Sequence, residues 1–231
     1  MSIAEQFIRA KNDYDEVYAK GIEVGKAQGG NTEEAYNQGV VDGRQAQYDK
    51  FWDSCQNKGE PSCYKFAFAY NIFNDAIYNP KYPIITSGTE SINSQDIFAY
   101  SPITDTKVTI DVKRSTGMAR AFNQAKQLVT IHKLIVTEKV AFTNTFDGCE
   151  SLKNIVIEGI IGNNFNIGAS PLLTLESITS IINALSQSTT NKTLTLSKTA
   201  VQNAFETTDL DNSTEWTTLK NSRSNWTITL S

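Results

Sequence analysis

The sequence predicts an α+β chain in two parts: an N-terminal helical, coiled-coil-like segment, then a short β/α solenoid with parallel strands. Three observations predict it. Apolar residues recur in steps of three and four through the first 57 residues, a glycine motif repeats there 18 residues apart, and phenylalanine returns every 24 residues in the second half. The 231 residues accordingly divide into a helical attachment or oligomerisation segment over 1–57, a connector or N-terminal cap over 58–95, and a repeat domain over 96–231 that ends in a helix and a capping strand.

In the first segment Ile3, Phe7, Ala10, Tyr14, Val17, Gly21 and Val24 fall on one a/d seam, with acids crowding the other faces. "GGNTEE" (29–34) interrupts the seam: Gly29 and Gly30 end one helix, and Asn31 or Thr32 caps the next. A second stripe follows through Tyr36, Val40, Arg44, Tyr48, Phe51 and Cys55. "YAKGIEVGK" (18–26) and "YNQGVVDGR" (36–44) share their tyrosine, both glycines and the closing base. Glycine costs about 1 kcal/mol against alanine inside a helix, so four at regular spacing imply close approach of another backbone. A two-helix hairpin within one chain would supply that backbone. So would a multi-chain stem, the reading adopted here, which makes a homo-oligomer through residues 1–57 the expected assembly.

Residues 58–95 hold Pro61, Pro80 and Pro83 among irregular aromatics, hence a connector. Beyond them Phe98, Phe122 and Phe146 set a frame of 24 residues. Three positions after each come Ser101, Ala125 and Cys149; six after come Thr104, Leu128 and Leu152. The strands "IDV" (110–112) and "LIV" (134–136) keep the frame, whereas "IVI" (155–157) arrives three residues early. One short strand per 24-residue unit buries little apolar surface alone, so units must stack and pair their strands in parallel, with the phenylalanines in an internal column. Cys149 then shares a position with serine and alanine. Small volume, not nucleophilicity, is what the three have in common.

The C-terminal part closes the stack. "TLESITSIINAL" (174–185) places Leu175, Ile178, Ile181, Ile182 and Leu185 on one helical face, with Thr174 as N-cap. "KTLTLS" (192–197) alternates as a strand, and Trp226, Ile228 and Leu230 share one side of a final strand.

"FDGCESLKNIVIEG" (146–159) resembles the unit of the leucine-rich repeats found in BspA-like proteins, through Phe146, Cys149, Leu152, Ile155 and Ile157. A weaker copy runs through Phe122, Ala125, Leu128 and Ile131. The glycine-punctuated start, "YDKFWD" (48–53) and "LTLESITSIINAL" with "KTLTLS" together resemble phage and prophage virion proteins of gut Firmicutes. That resemblance implies a leucine-rich-repeat-like fold and a non-enzymatic structural role in a virion tail or appendage. It also implies contact with other virion proteins and, as an alternative, a receptor-binding or adhesin module that meets the host surface.

The chemistry-bearing residues are sparse. The net charge of −4 arises wholly in residues 1–57 (six Lys/Arg against ten Asp/Glu), and no basic face predicts a nucleic-acid partner. No apolar run is long enough for membrane insertion, and no basic stretch precedes an apolar one at the start, so synthesis in a cytoplasm is expected. Cys55, Cys63 and Cys149 lack metal-ligand spacing. His132 is the lone histidine, expected at the surface or a strand edge, so neither a zinc set nor a histidine-based triad has a nominated constellation. Asp209, Asp211, Ser213 and Glu215 alternate as in a calcium loop but lack its glycine, and a solvated turn is expected. No pair of acids is nominated for a host-wall glycan hydrolase. The sequence thus assigns no catalytic, metal or cofactor-binding residue and no cofactor.

Overall fold

The computed structural model describes residues 84–85, 92–93, 95–113 and 115–231. The helical segment expected over 1–57 lies outside them, as does most of the expected connector. Described residues 95–231 are α+β, with parallel sheets and few helices.

The first sheet joins β1 (Ile84–Ile85), β3 (Thr109–Asp111), β5 (Thr130–Val136) and β6 (Asn154–Gly159) in that order, every pair parallel. Ile110 lies opposite Leu134, and Ile131 opposite Ile155, both at the 24-residue offset. A second ladder joins β2 (Ile92–Asn93) to β4 (Ser115–Gly117), and Gly117 bridges on to Ala141. A third sheet orders β7 (Phe165–Ile167), β8 (Lys192–Leu196) and β9 (Trp226–Leu230), again parallel. Three helices complete the described part: α1 (Leu175–Ala184), α2 (Lys198–Ala204) and α3 (Thr214–Asn221).

The expected aromatic column is present. Phe98 stacks on Phe122 at 5.4 Å with planes 4° apart, and Phe122 on Phe146 at 5.5 Å and 10°. All three rings are fully buried. Strands lie about 4.8 Å apart, so one ring per strand layer comes to rest on the next. The turns carrying the rings are also bonded layer to layer. Phe98 N donates to Ala121 O at 2.7 Å, and Phe122 N to Thr145 O at 2.9 Å. Each turn is flanked by left-handed residues at the same interval: Asp96, Arg120 and Asn144 on one side, Tyr100, Gln124 and Gly148 on the other. Arg120 binds Asp96 with two 2.8 Å bonds, tying successive layers through the first of these columns. A bidentate guanidinium is the partner a nearly buried carboxylate needs.

Ile155–Ile157 does not slip by three residues, as its position in sequence had indicated. Its partner strand β5 already begins at Thr130, and a one-residue irregularity between Ile131 and Leu134 brings Leu134 opposite Ile157. Two residues of β5, His132 and Lys133, thus oppose one of β6, which is a β-bulge. His132 N bonds the Thr106 hydroxyl at 3.0 Å.

Helix α1 has the expected Thr174 N-cap, whose hydroxyl accepts from Ser177 N at 3.3 Å. Ile178, Ile181, Ile182 and Leu185 are buried as expected; Leu175 is not, standing 42% exposed on the first turn before the helix meets the core. The helix lies along the outer side of β6. Ser177 Oγ accepts from Ile155 N at 3.0 Å and Ser180 Oγ from Ile157 N at 2.9 Å. Two serine hydroxyls take the positions another strand's carbonyls would occupy, and β6 is no longer an open edge. No described helix is long and apolar enough to cross a membrane.

Candidate functional site: a polar recess between stacked layers

The residues singled out from sequence are placed apart. Cys149 is fully buried, and its Sγ bonds Phe122 O at 3.1 Å. Burial, reinforced by the negative charge of Asp147, pushes its pKa up from 9.0 to about 12, so the thiol is protonated at neutral pH. Ser101 and Ala125 are buried as well, and Ser170 adds a fourth small side chain, with Oγ on the Cys149 carbonyl at 3.0 Å. His132 is exposed on β5 and shares no cleft with that thiol.

The expected turn at 209–216 is in part a helix start. Asp209 accepts from Asn212 N at 3.3 Å and Nδ2 at 2.7 Å, while Ser213 caps α3 by accepting from Trp216 N at 3.3 Å. These oxygens are engaged in local turns, and no group of three or more candidate ligands for a metal ion occurs among the described residues.

The structure presents a different feature. A recess of about 360 Å³ opens where the second ladder ends and the third sheet begins. One wall is Ala141–Thr143, the other Asn163–Asn166 leading into β7, and the outward residues of β8 continue the surface. The local pattern explains the shape. "NFNI" (164–167) alternates, so Phe165 and Ile167 turn into the core while Asn164 and Asn166 turn out. Phe142 and Phe165 meet edge-on at 4.8 Å and 67° beneath the recess.

No backbone ladder joins Ala141 to β7; Asn163 bridges that gap. Its Nδ2 donates to Glu138 O at 3.0 Å and Val140 O at 3.2 Å, and its Oδ1 accepts from Lys192 Nζ at 3.4 Å. Gly162 permits the approach, since a Cβ there would stand 2.6 Å from Glu138 O. The neighbouring amides are fixed in orientation. Asn164 Oδ1 accepts from Thr193 N at 3.0 Å, and Asn166 Oδ1 accepts from Gly168 N at 3.0 Å. With each oxygen held, each Nδ2 is directed away from the backbone as a donor.

The lining contains three asparagines, three threonines and one lysine, and no carboxylate, histidine or thiol. Glu138, close by in the chain, directs its carboxylate to Ser186 at 2.7 Å and Ser188 at 3.3 Å. The arrangement can donate hydrogen bonds and place one positive charge. It offers no acid–base couple for proton transfer.

Sequence reasoning passed over Asn163, Asn164, Asn166, Lys192 and Thr193. The available signal was the alternation of amides with Phe165 and Ile167, beside an equally alternating "KTLTL". Comparison with known proteins returns no match: no family model, no curated protein and no solved structure corresponds to this chain.

Proposed function

We propose that the chain is a non-enzymatic structural protein of a phage or phage-derived particle. Residues 96–231 act as a short leucine-rich-repeat-like solenoid that presents a surface, and residues 1–57 act as a helical stem that attaches it and makes it a homo-oligomer. Other virion proteins are its partners and the virion is its location. The single observation supporting the body of this reading is the Phe98–Phe122–Phe146 column, in which each parallel layer repeats the one before it. The resemblance of the terminal segments to virion proteins supplies the particle.

Two measurements test it. Labelled antibody against the purified chain should decorate particles of a host strain that carries its gene, and the full chain should exceed monomer mass in solution. Undecorated particles remove the virion role; a strict monomer removes the stem.

The recess favours a second reading, a receptor-binding module on the same body. Saturable binding of the full chain to host cells, competed by unlabelled chain, supports it; absence of binding in particles that contain the chain leaves scaffolding alone.

A further inference from the structure

The geometry points to the recess between Ala141–Thr143 and Asn163–Asn166 as a binding site for an acidic saccharide, with Lys192 taking the acid group and the amides of Asn164 and Asn166 taking ring oxygens. The inference rests on the surface-presenting reading only in that the recess must face solvent.

Three observations carry it. First, both outward amides are preorganised. Their oxygens are held by Thr193 N and Gly168 N, so ligand binding need not freeze their rotation. Asn164, just before β7, and Asn166, within it, are both exposed and both line the recess, two residues apart in the chain. Second, the amide and ammonium groups of the site present donors. The Asn163 oxygen is already bonded to Lys192, whereas the ammonium retains further N–H groups beyond that long 3.4 Å bond. A complementary ligand must therefore be rich in oxygen acceptors. Third, the lining carries one positive charge and no negative one, and Glu138 is turned away onto its serines. A carboxylate on the ligand meets an unopposed ammonium, and a metal cation meets nothing that would hold it. Thr143 and Thr193 supply hydroxyls that donate or accept as a glycan requires.

The probes are trigalacturonate, which carries carboxylates, and maltotriose, which does not, titrated calorimetrically into the full chain. Trigalacturonate should bind with Kd of about 1 mM or tighter, and maltotriose about tenfold or more weakly, the difference one charge-assisted hydrogen bond makes. Lys192→Ala should bring the two ligands to equal affinity. Asn166→Ala should weaken both by about threefold to tenfold, one net hydrogen bond. Both side chains contact solvent, and thermal melts matched to the parent chain establish that the variants fold. The proposal is overturned if neither saccharide binds at ~10 mM, where a 1 mM site would be nine-tenths occupied. Equal binding of the two by the parent chain, or affinities unchanged in both variants, overturns it as well. Particle decoration is a separate readout, so loss of this site leaves the structural role standing.

Discussion

The hydroxyl of Ser177 accepts a 3.0 Å hydrogen bond from the backbone N–H of Ile155 and donates one of 2.9 Å to the carbonyl of Lys153. A helix thereby satisfies a strand edge through a side chain that is itself 3% exposed. Ser177→Ala leaves the Ile155 N–H buried without an acceptor, which costs about 1–3 kcal/mol. Urea unfolding of the full chain measures the loss, and amide exchange at Ile155 should accelerate. Ser180→Ala, at a partly buried site that water can reach, should cost less.

Phe122 stands fully buried between the stacked rings of Phe98 and Phe146. Phe122→Ala should cost about 3–5 kcal/mol, the range for a buried phenylalanine whose cavity cannot close. Phe122→Leu retains much of the apolar volume but forfeits both ring contacts, and should cost about 1–2 kcal/mol. Denaturation midpoints in the order parent, leucine, alanine are the expected result.

Cys149 should behave as packing. In the folded chain the peptide containing it should stay unmodified by a maleimide at pH 8 and react only in denaturant, as peptide mapping will show. The pH dependence follows from the raised pKa. Between 9.0 and about 12 the folded thiol keeps its proton while the unfolded one loses it, so this group's contribution to stability falls as pH rises through that window. Cys149→Ala, with the side chain Ala125 already shows to fit, should lack that contribution. The gap between parent and variant stability should therefore narrow on going from pH 8 to pH 11.

Gly159 has φ of +97° and sits against the Val136 carbonyl, into which a Cβ would project. Both the backbone conformation and the contact oppose a side chain. Gly159→Ala should cost about 2–3 kcal/mol, read from the same unfolding curves. Gly117→Ala is the control, because its nearest neighbour, Ala141 O, lies 3.9 Å away and its φ is not positive.

What was legible in the sequence is what repeats at a fixed interval. Phe98, Phe122 and Phe146 lie in adjacent layers because each must bury the same ring in the same place, and that demand leaves a periodic trace. Parallel pairing followed from it, as did the burial of Cys149; the Thr174 cap was legible separately, from the helical pattern behind it. The bulge at His132 and Lys133 left no such trace, since one extra residue alters pairing without altering the apolar pattern on either side of it. Ser177 and Ser180 gave no signal in the sequence, because their partners are backbone groups of another element, which a linear pattern does not reveal. Helices α2 and α3 are short and begin at Ser197 and Ser213, single caps without a long apolar stripe behind them. The recess was illegible for a spatial reason. Its walls and the β8 residues beside them come from three segments spread over some 50 positions, and outward polar side chains look alike whether they enclose a hollow or stand free.

The 24-residue interval also limits how this chain can change length. Between Phe98 and Phe146 the rings, the left-handed turns and the Asp96–Arg120 tie share one phase, so inserting or deleting a single residue there disrupts all three together. A change of a full 24 residues keeps that phase. Between these rings a length change of one whole interval should therefore be tolerated better than a change of one residue.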